Sequence, residues 1–91
     1  MPAAPAFQAA LGQAVKARRE ELELTQEELS LGSTLHQRWI SNVETGKRNP
    51  SYSSIRRLAD GLGLTASQLI ASAESIEAGG AKKRTKRSAR S

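Results

Sequence analysis

Hydrogen-bonding side chains crowd one short stretch of the chain: Gln37, Arg38, Ser41, Asn42, Thr45, Lys47, Arg48 and Asn49. If residues 37–45 form a helix at about 100° per residue, placing Ile40 at the origin brings His36, Val43 and Glu44 within roughly 60° of it. That side faces a core. Arg38, Asn42 and Thr45 then point the other way, with Gln37 and Ser41 on one flank and Trp39 on the other. Gln and Asn can bond adenine in bidentate fashion, Arg can bond guanine, and Ser suits several bases, so this outward face has the chemistry to read a major groove. Ordinary solvated helix faces carry similar residues, and the decision falls to the elements around this one.

Other chemistries find little support. The chain has no Cys and a single His, which excludes a disulfide framework, a thiolate metal site and a histidine ligand cluster. No His stands beside a plausible nucleophile, no paired carboxylates share a core face, and no glycine-rich phosphate loop is present. An enzyme is not expected, nor a metal, cofactor or small-molecule ligand. The start, Met1–Ala6, lacks the basic and apolar regions of a secretory signal, and no apolar run is long enough to span a bilayer. A soluble, cytoplasmic protein is expected.

Ninety-one residues suffice for one domain with one small core. The net charge of +5 is unevenly placed: residues 1–81 hold eight basic and nine acidic side chains, whereas residues 82–91 hold six basic and none acidic. Lys82, Lys83, Arg84, Lys86, Arg87 and Arg90 therefore make a basic tail, without apolar periodicity or an aromatic, that is expected to be disordered. Such a tail could neutralise DNA phosphates without reading sequence, or simply aid solubility, or in a eukaryote serve as a nuclear import signal. Within the body, Glu20, Glu21, Glu23, Glu27 and Glu28 cluster early, and Arg38, Lys47, Arg48, Arg56 and Arg57 later.

The elements that must position the polar face follow from spacing and caps. Phe7, Leu11, Val15 and Leu22 recur at helical intervals and predict a first helix over about residues 7–22. Thr25-Gln26-Glu27-Glu28 reads as a capping box that opens a second helix. A third over 37–45 stops at Gly46, a fourth is capped by Ser51 and stopped by Gly63, and Thr65-Ala66-Ser67-Gln68 is a second capping box. It opens a fifth helix carrying Leu69, Ile70, Ala73 and Ile76, predicted to end at Gly79-Gly80. Nothing alternates with period two, so the expected fold is all-α with five short helices. The expected division is a flexible N-terminus over residues 1–6, a domain over 7–78, and a glycine hinge with the basic tail over 79–91.

Thr25-Gln26-Glu27-Glu28-Leu29, then Ile40-Ser41-Asn42-Val43-Glu44-Thr45-Gly46 and Pro50, closely resemble the Cro and lambda-repressor-like (XRE-type) helix-turn-helix family. The likeness extends over residues 7 to about 72 and includes Leu58-Ala59-Asp60-Gly61-Leu62-Gly63. It implies a transcriptional regulator that binds double-stranded DNA, with Gln37, Arg38, Ser41 and Asn42 approaching base edges. Gln26 would bond a phosphate, as the amides and dipole of a helix N-terminus favour. Thr45, Lys47, Arg48 and Asn49 would hold the DNA backbone. Arg19 and Glu44 match positions that form an internal ion pair in the family.

The resemblance also suggests a homodimer on a near-palindromic site, with the fifth helix as its seam and Ile76 plus a neighbour facing the partner. One position departs from the family: Thr34 stands where the turn glycine is usual, and Gly32 precedes it. Because a left-handed β-branched residue is costly, the second helix is expected to stop early at Gly32. Leu29, Leu35, Ile40 and Val43 are expected in the core, and His36 as a partly exposed cap or packing residue. Trp39 either wedges against the fourth helix or touches the DNA backbone. The rival function is a protein-interaction module on the same fold, such as an antitoxin-like or coactivator-like adaptor.

Overall fold

The first helix, α1, spans Ala6–Glu21 and buries Ala10, Leu11, Ala14 and Val15 on one face. Leu22, expected on that face, is 38% exposed because the helix has already ended: Glu23 turns left-handed at φ 60°. The amide of Glu23 bonds the Glu20 carbonyl and that of Leu24 the Arg19 carbonyl, the paired bonds of a Schellman stop. The computed structural model describes the backbone of residues 6–82 and the side chains of residues 6–79. Residues 1–5 and 83–91 lie outside it, and with them Lys83, Arg84, Lys86, Arg87 and Arg90 of the expected tail.

Helix α2 covers Gln26–Ser33 and α3 covers Gln37–Glu44. The capping box at the start of α2 closes in both directions, Glu28 N to Thr25 Oγ1 at 3.0 Å and Thr25 N to Glu28 Oε1 at 2.8 Å. Contrary to expectation, α2 does not stop at Gly32. It continues to Ser33, and Thr34 itself takes the left-handed conformation at φ 60°. That strain, roughly 1–2 kcal/mol, is offset by what the extra residue reaches: Ser33 packs into the core edge beside Gly61, and the Ser30 hydroxyl donates to the Leu35 carbonyl.

Helices α4, Tyr52–Gly61, and α5, Ala66–Lys82, complete the fold. Ser51 Oγ accepts from the Ser54 amide at 3.2 Å, and Thr65 with Gln68 forms the second capping box. The predicted stop at Gly79-Gly80 is not found: the α5 backbone stays helical through Lys82. Glycine inside a helix costs only about 1 kcal/mol and breaks nothing by itself; it ends a helix when it turns left-handed, as Gly46 and Gly63 do here.

Among the described residues the elements are these five helices, and the expected all-α class holds. Helix α1 packs most extensively on α5 and next on α3, while α2 backs onto α4 and α3. Leu11, Val15, Leu29, Ile40, Val43, Leu58, Leu62 and Leu69 are essentially inaccessible to solvent and form one core. Each such side chain contributes about 1.5–3 kcal/mol on burial. Leu35 packs at its margin.

Candidate nucleic-acid interface

Helix α3 divides as its wheel requires. Ile40 and Val43 are buried, Gln37, Arg38 and Thr45 are exposed, and Ser41 and Asn42 are half-buried between them. Trp39 is half-buried against the core. His36 is an exception to the wheel: it is exposed, because it occupies the extended cap position before the helix and makes no side-chain capping bond. His36, Gln37, Arg38, Trp39, Asn42 and Arg48 together line a shallow depression, so Arg48 sits beside three of the four expected base-reading residues; Ser41 is not part of the lining. Lys47 and Asn49 are exposed on the same turn. The Thr45 hydroxyl turns back to bond the Ser41 and Asn42 carbonyls at 3.0 and 3.3 Å.

The C-terminal half of α3 is held by a polar fixture. Arg19 Nε donates to Glu44 Oε2 at 2.7 Å and Nη2 to Oε1 at 3.0 Å, a bidentate fork with the Glu44 side chain only 3% exposed. Arg19 also donates to the Leu24 carbonyl at 2.9 Å, tying the end of α1 into the same cluster. The bond to Glu44 raises the Arg19 guanidinium above its already high ordinary value, against the opposing effect of burial. Gln26, expected to reach a phosphate, here donates its side-chain amide to Glu44 Oε1 at 3.0 Å. A buried carboxylate needs such partners, and this one has them from two helices.

Two residues of this fixture escaped the sequence reading. An ideal Cβ built on Gly12 would lie 2.3 Å from the Val43 carbonyl oxygen and 2.8 Å from that of Glu44, so α1 and the end of α3 touch backbone to side-chain-free backbone. Gln8 Nε2 donates to the Gly46 carbonyl at 2.8 Å. Both were legible in principle: Gln8, Gly12, Val15 and Arg19 fall on one stripe of α1, the stripe that meets α3. Spacing alone did not say what the stripe faces.

Among the described residues no three His, Cys, Asp or Glu side chains could hold a metal ion, and no helix is long and apolar enough to cross a membrane.

The family described as "Helix-turn-helix domain" matches residues 10–71. The control protein C.MunI of a Mycoplasma species is 36% identical over 59 residues, which cover 65% of this chain and 80% of that protein. An immunity repressor of Bacillus phage phi105 is 33% identical over 60 residues, 66% of this chain but 42% of the longer repressor. The crystal structure of the restriction-modification controller C.AhdI from Aeromonas hydrophila superposes with a TM-score of 0.69 at 32% identity, covering 71% of this chain and 98% of that one. The chain belongs to the helix-turn-helix family of the Cro and lambda-repressor (XRE) type, a family of DNA-binding regulators rather than of enzymes.

Proposed function

We infer that the protein is a small transcriptional regulator that binds double-stranded DNA sequence-specifically, with α3 in the major groove. The observation that carries this is the two-sided character of α3: a donor-rich outer face of Gln37, Arg38, Ser41 and Asn42, and an inner face fixed by Arg19, Gln26 and the core. Base contacts specify sequence only when the reading helix is rigid. Relatives named as a control protein and an immunity repressor support the regulatory role. A protein-binding module would present aromatic or aliphatic anchors on this face, and the exposed residues there are polar. The protein would work where the DNA is, in the cytoplasm of a bacterium.

Lys47, Arg48 and Asn49 are assigned to the DNA backbone, as are Gln26, through the amide hydrogen that it does not donate to Glu44, and Thr45, whose hydroxyl would turn out from the Ser41 and Asn42 carbonyls. The tail residues from Lys82 to Arg90 are assigned to non-specific phosphate contact; truncation after Ala81 should then flatten the log-log salt dependence of binding by about 2 to 4 on target and random duplexes alike. Dimerisation through α5 is retained in narrower form. Leu69 and Ala73 are consumed by the core, and Ile76 lies in a groove beside Ala14, Ala17 and Arg18 of α1. Ile70 and Ile76 are both half-buried at the margin of the core, about 120° apart around the helix, and are the apolar side chains of α5 assigned to a second copy.

Selection of bound sequences from a random duplex library tests the whole reading and returns the half-site spacing. On the selected site, Gln37→Ala and Asn42→Ala should each lose about 1–3 kcal/mol of binding while random-sequence affinity barely moves. Parent-like binding by both variants would remove α3 as the reading element.

A further inference from the structure

We propose that Gln8 is a positioning residue for the phosphate contacts of the turn that follows α3, a proposal that rests on the DNA-binding reading above. Helix α3 ends in a Schellman stop: the Gly46 amide bonds the Val43 carbonyl at 3.0 Å and the Lys47 amide bonds the Asn42 carbonyl at 2.8 Å. These bonds fix the turn to its own helix only. The Gly46 carbonyl is taken by Gln8 Nε2 at 2.8 Å, from 38 residues upstream. Among the described residues this is the one side-chain hydrogen bond joining residues 46–50 to another helix.

Its place makes it consequential. Gly46 has φ +78°, and an ideal Cβ there would sit 3.7 Å from the Ala9 Cα, so the turn lies directly against the first turns of α1. Lys47, Arg48 and Asn49 follow immediately and are exposed. A direct phosphate bond needs its donor at about 2.7–3.2 Å, and a Gly46–Lys47 peptide held on one edge only, by its Lys47 amide, could tilt about that bond and carry those three side chains out of that range. The Gln8 amide closes that freedom. Gln8 lies in the first turn of α1, just before residues 10–71, the segment matched by the family.

The test is a double-mutant cycle in the full chain. Gln8→Met keeps length and helix preference but removes the donor; it is combined with the Lys47→Ala, Arg48→Ala pair. Binding to the selected duplex and to a random duplex is titrated with salt at a temperature where circular dichroism shows every variant folded. Gln8→Met should weaken both duplexes roughly three- to tenfold and flatten the salt slope by about 1 to 2. The ratio of target to random affinity should stay at the parent value. In the chain lacking Lys47 and Arg48, Gln8→Met should add almost nothing, because the contacts it positions are already gone. A parent-like slope, or full additivity in the cycle, overturns the proposal and leaves Gln8 a structural tie. A parent chain that binds neither duplex overturns the DNA-binding reading itself.

Discussion

Where α1 meets the end of α3, contact is polar and directional; where α2 meets α4, it is apolar, close and slightly strained. The first seam is tied by hydrogen bonds: the Glu44 carboxylate is bonded by Arg19 and Gln26, and the Gly46 carbonyl by Gln8. The second closes on Leu29, Ser33 and Gly61, where an ideal Cβ on Gly61 would come within 2.8 Å of Leu29 Cδ1 and 3.1 Å of Ser33 Cβ. It leaves the Ser33 hydroxyl buried without a partner and ends on a left-handed Thr34. Hydrogen bonds fix angle as well as distance, whereas apolar packing fixes mainly distance. The polar seam thus sets the pitch of α3, and the apolar one supplies cohesion.

The largest effect should come from breaking the polar seam at its charge. Arg19→Met strands a buried carboxylate and should cost about 3–5 kcal/mol in chemical denaturation. Adding Glu44→Gln, which removes the stranded charge, should recover much of that loss; a single variant as stable as the parent would show that the fork contributes no net stability. Next comes Gly12→Ala, whose methyl meets backbone oxygens that cannot step aside. It should destabilise by about 2 kcal/mol despite the better helix preference of Ala, and it should weaken selected-site binding beyond any loss of folded protein.

Smaller and opposite changes are expected in the apolar seam. Ser33→Ala removes a hydroxyl that has no partner and should stabilise the fold by about 1 kcal/mol; a loss of stability would mean that the hydroxyl is satisfied in solution. Thr34→Gly relieves the left-handed β-branched residue, partly offset by the greater freedom of glycine when unfolded, for a net gain of about 0.5–1 kcal/mol. If Thr34→Gly lowered the melting temperature, the left-handed turn would not be the strained element it is taken for here.

Much of this could be read from residue order because the signals are local. Both capping boxes, the Ser51 cap and the stops at Gly46 and Gly63 depend on residues within a few positions of one another, and all are present. Periodicity correctly separated the buried Ile40 and Val43 from the exposed Gln37 and Arg38. It failed outside the helices, at Leu22 past the end of α1 and at His36 before the start of α3, since the wheel has no meaning beyond the first and last turns. Glycine misled twice, at Gly32 and at Gly79, because its preference for stops is a tendency that neighbouring packing or continued helix bonding can override.

Residue order by itself determined the five helices, the polar outer face of α3 and the cationic turn after it, all consequences of short-range caps, stops and 3.6-residue spacing. Only the tertiary structure decided which stripe of α1 receives α3, and with it the contacts of Gln8 and Gly12 and the bond from Gln26 to Glu44. It also decided that Thr34, not Gly32, would bear the left-handed turn. These outcomes join residues up to 38 positions apart, and their energies depend on distances that exist only once the core has closed.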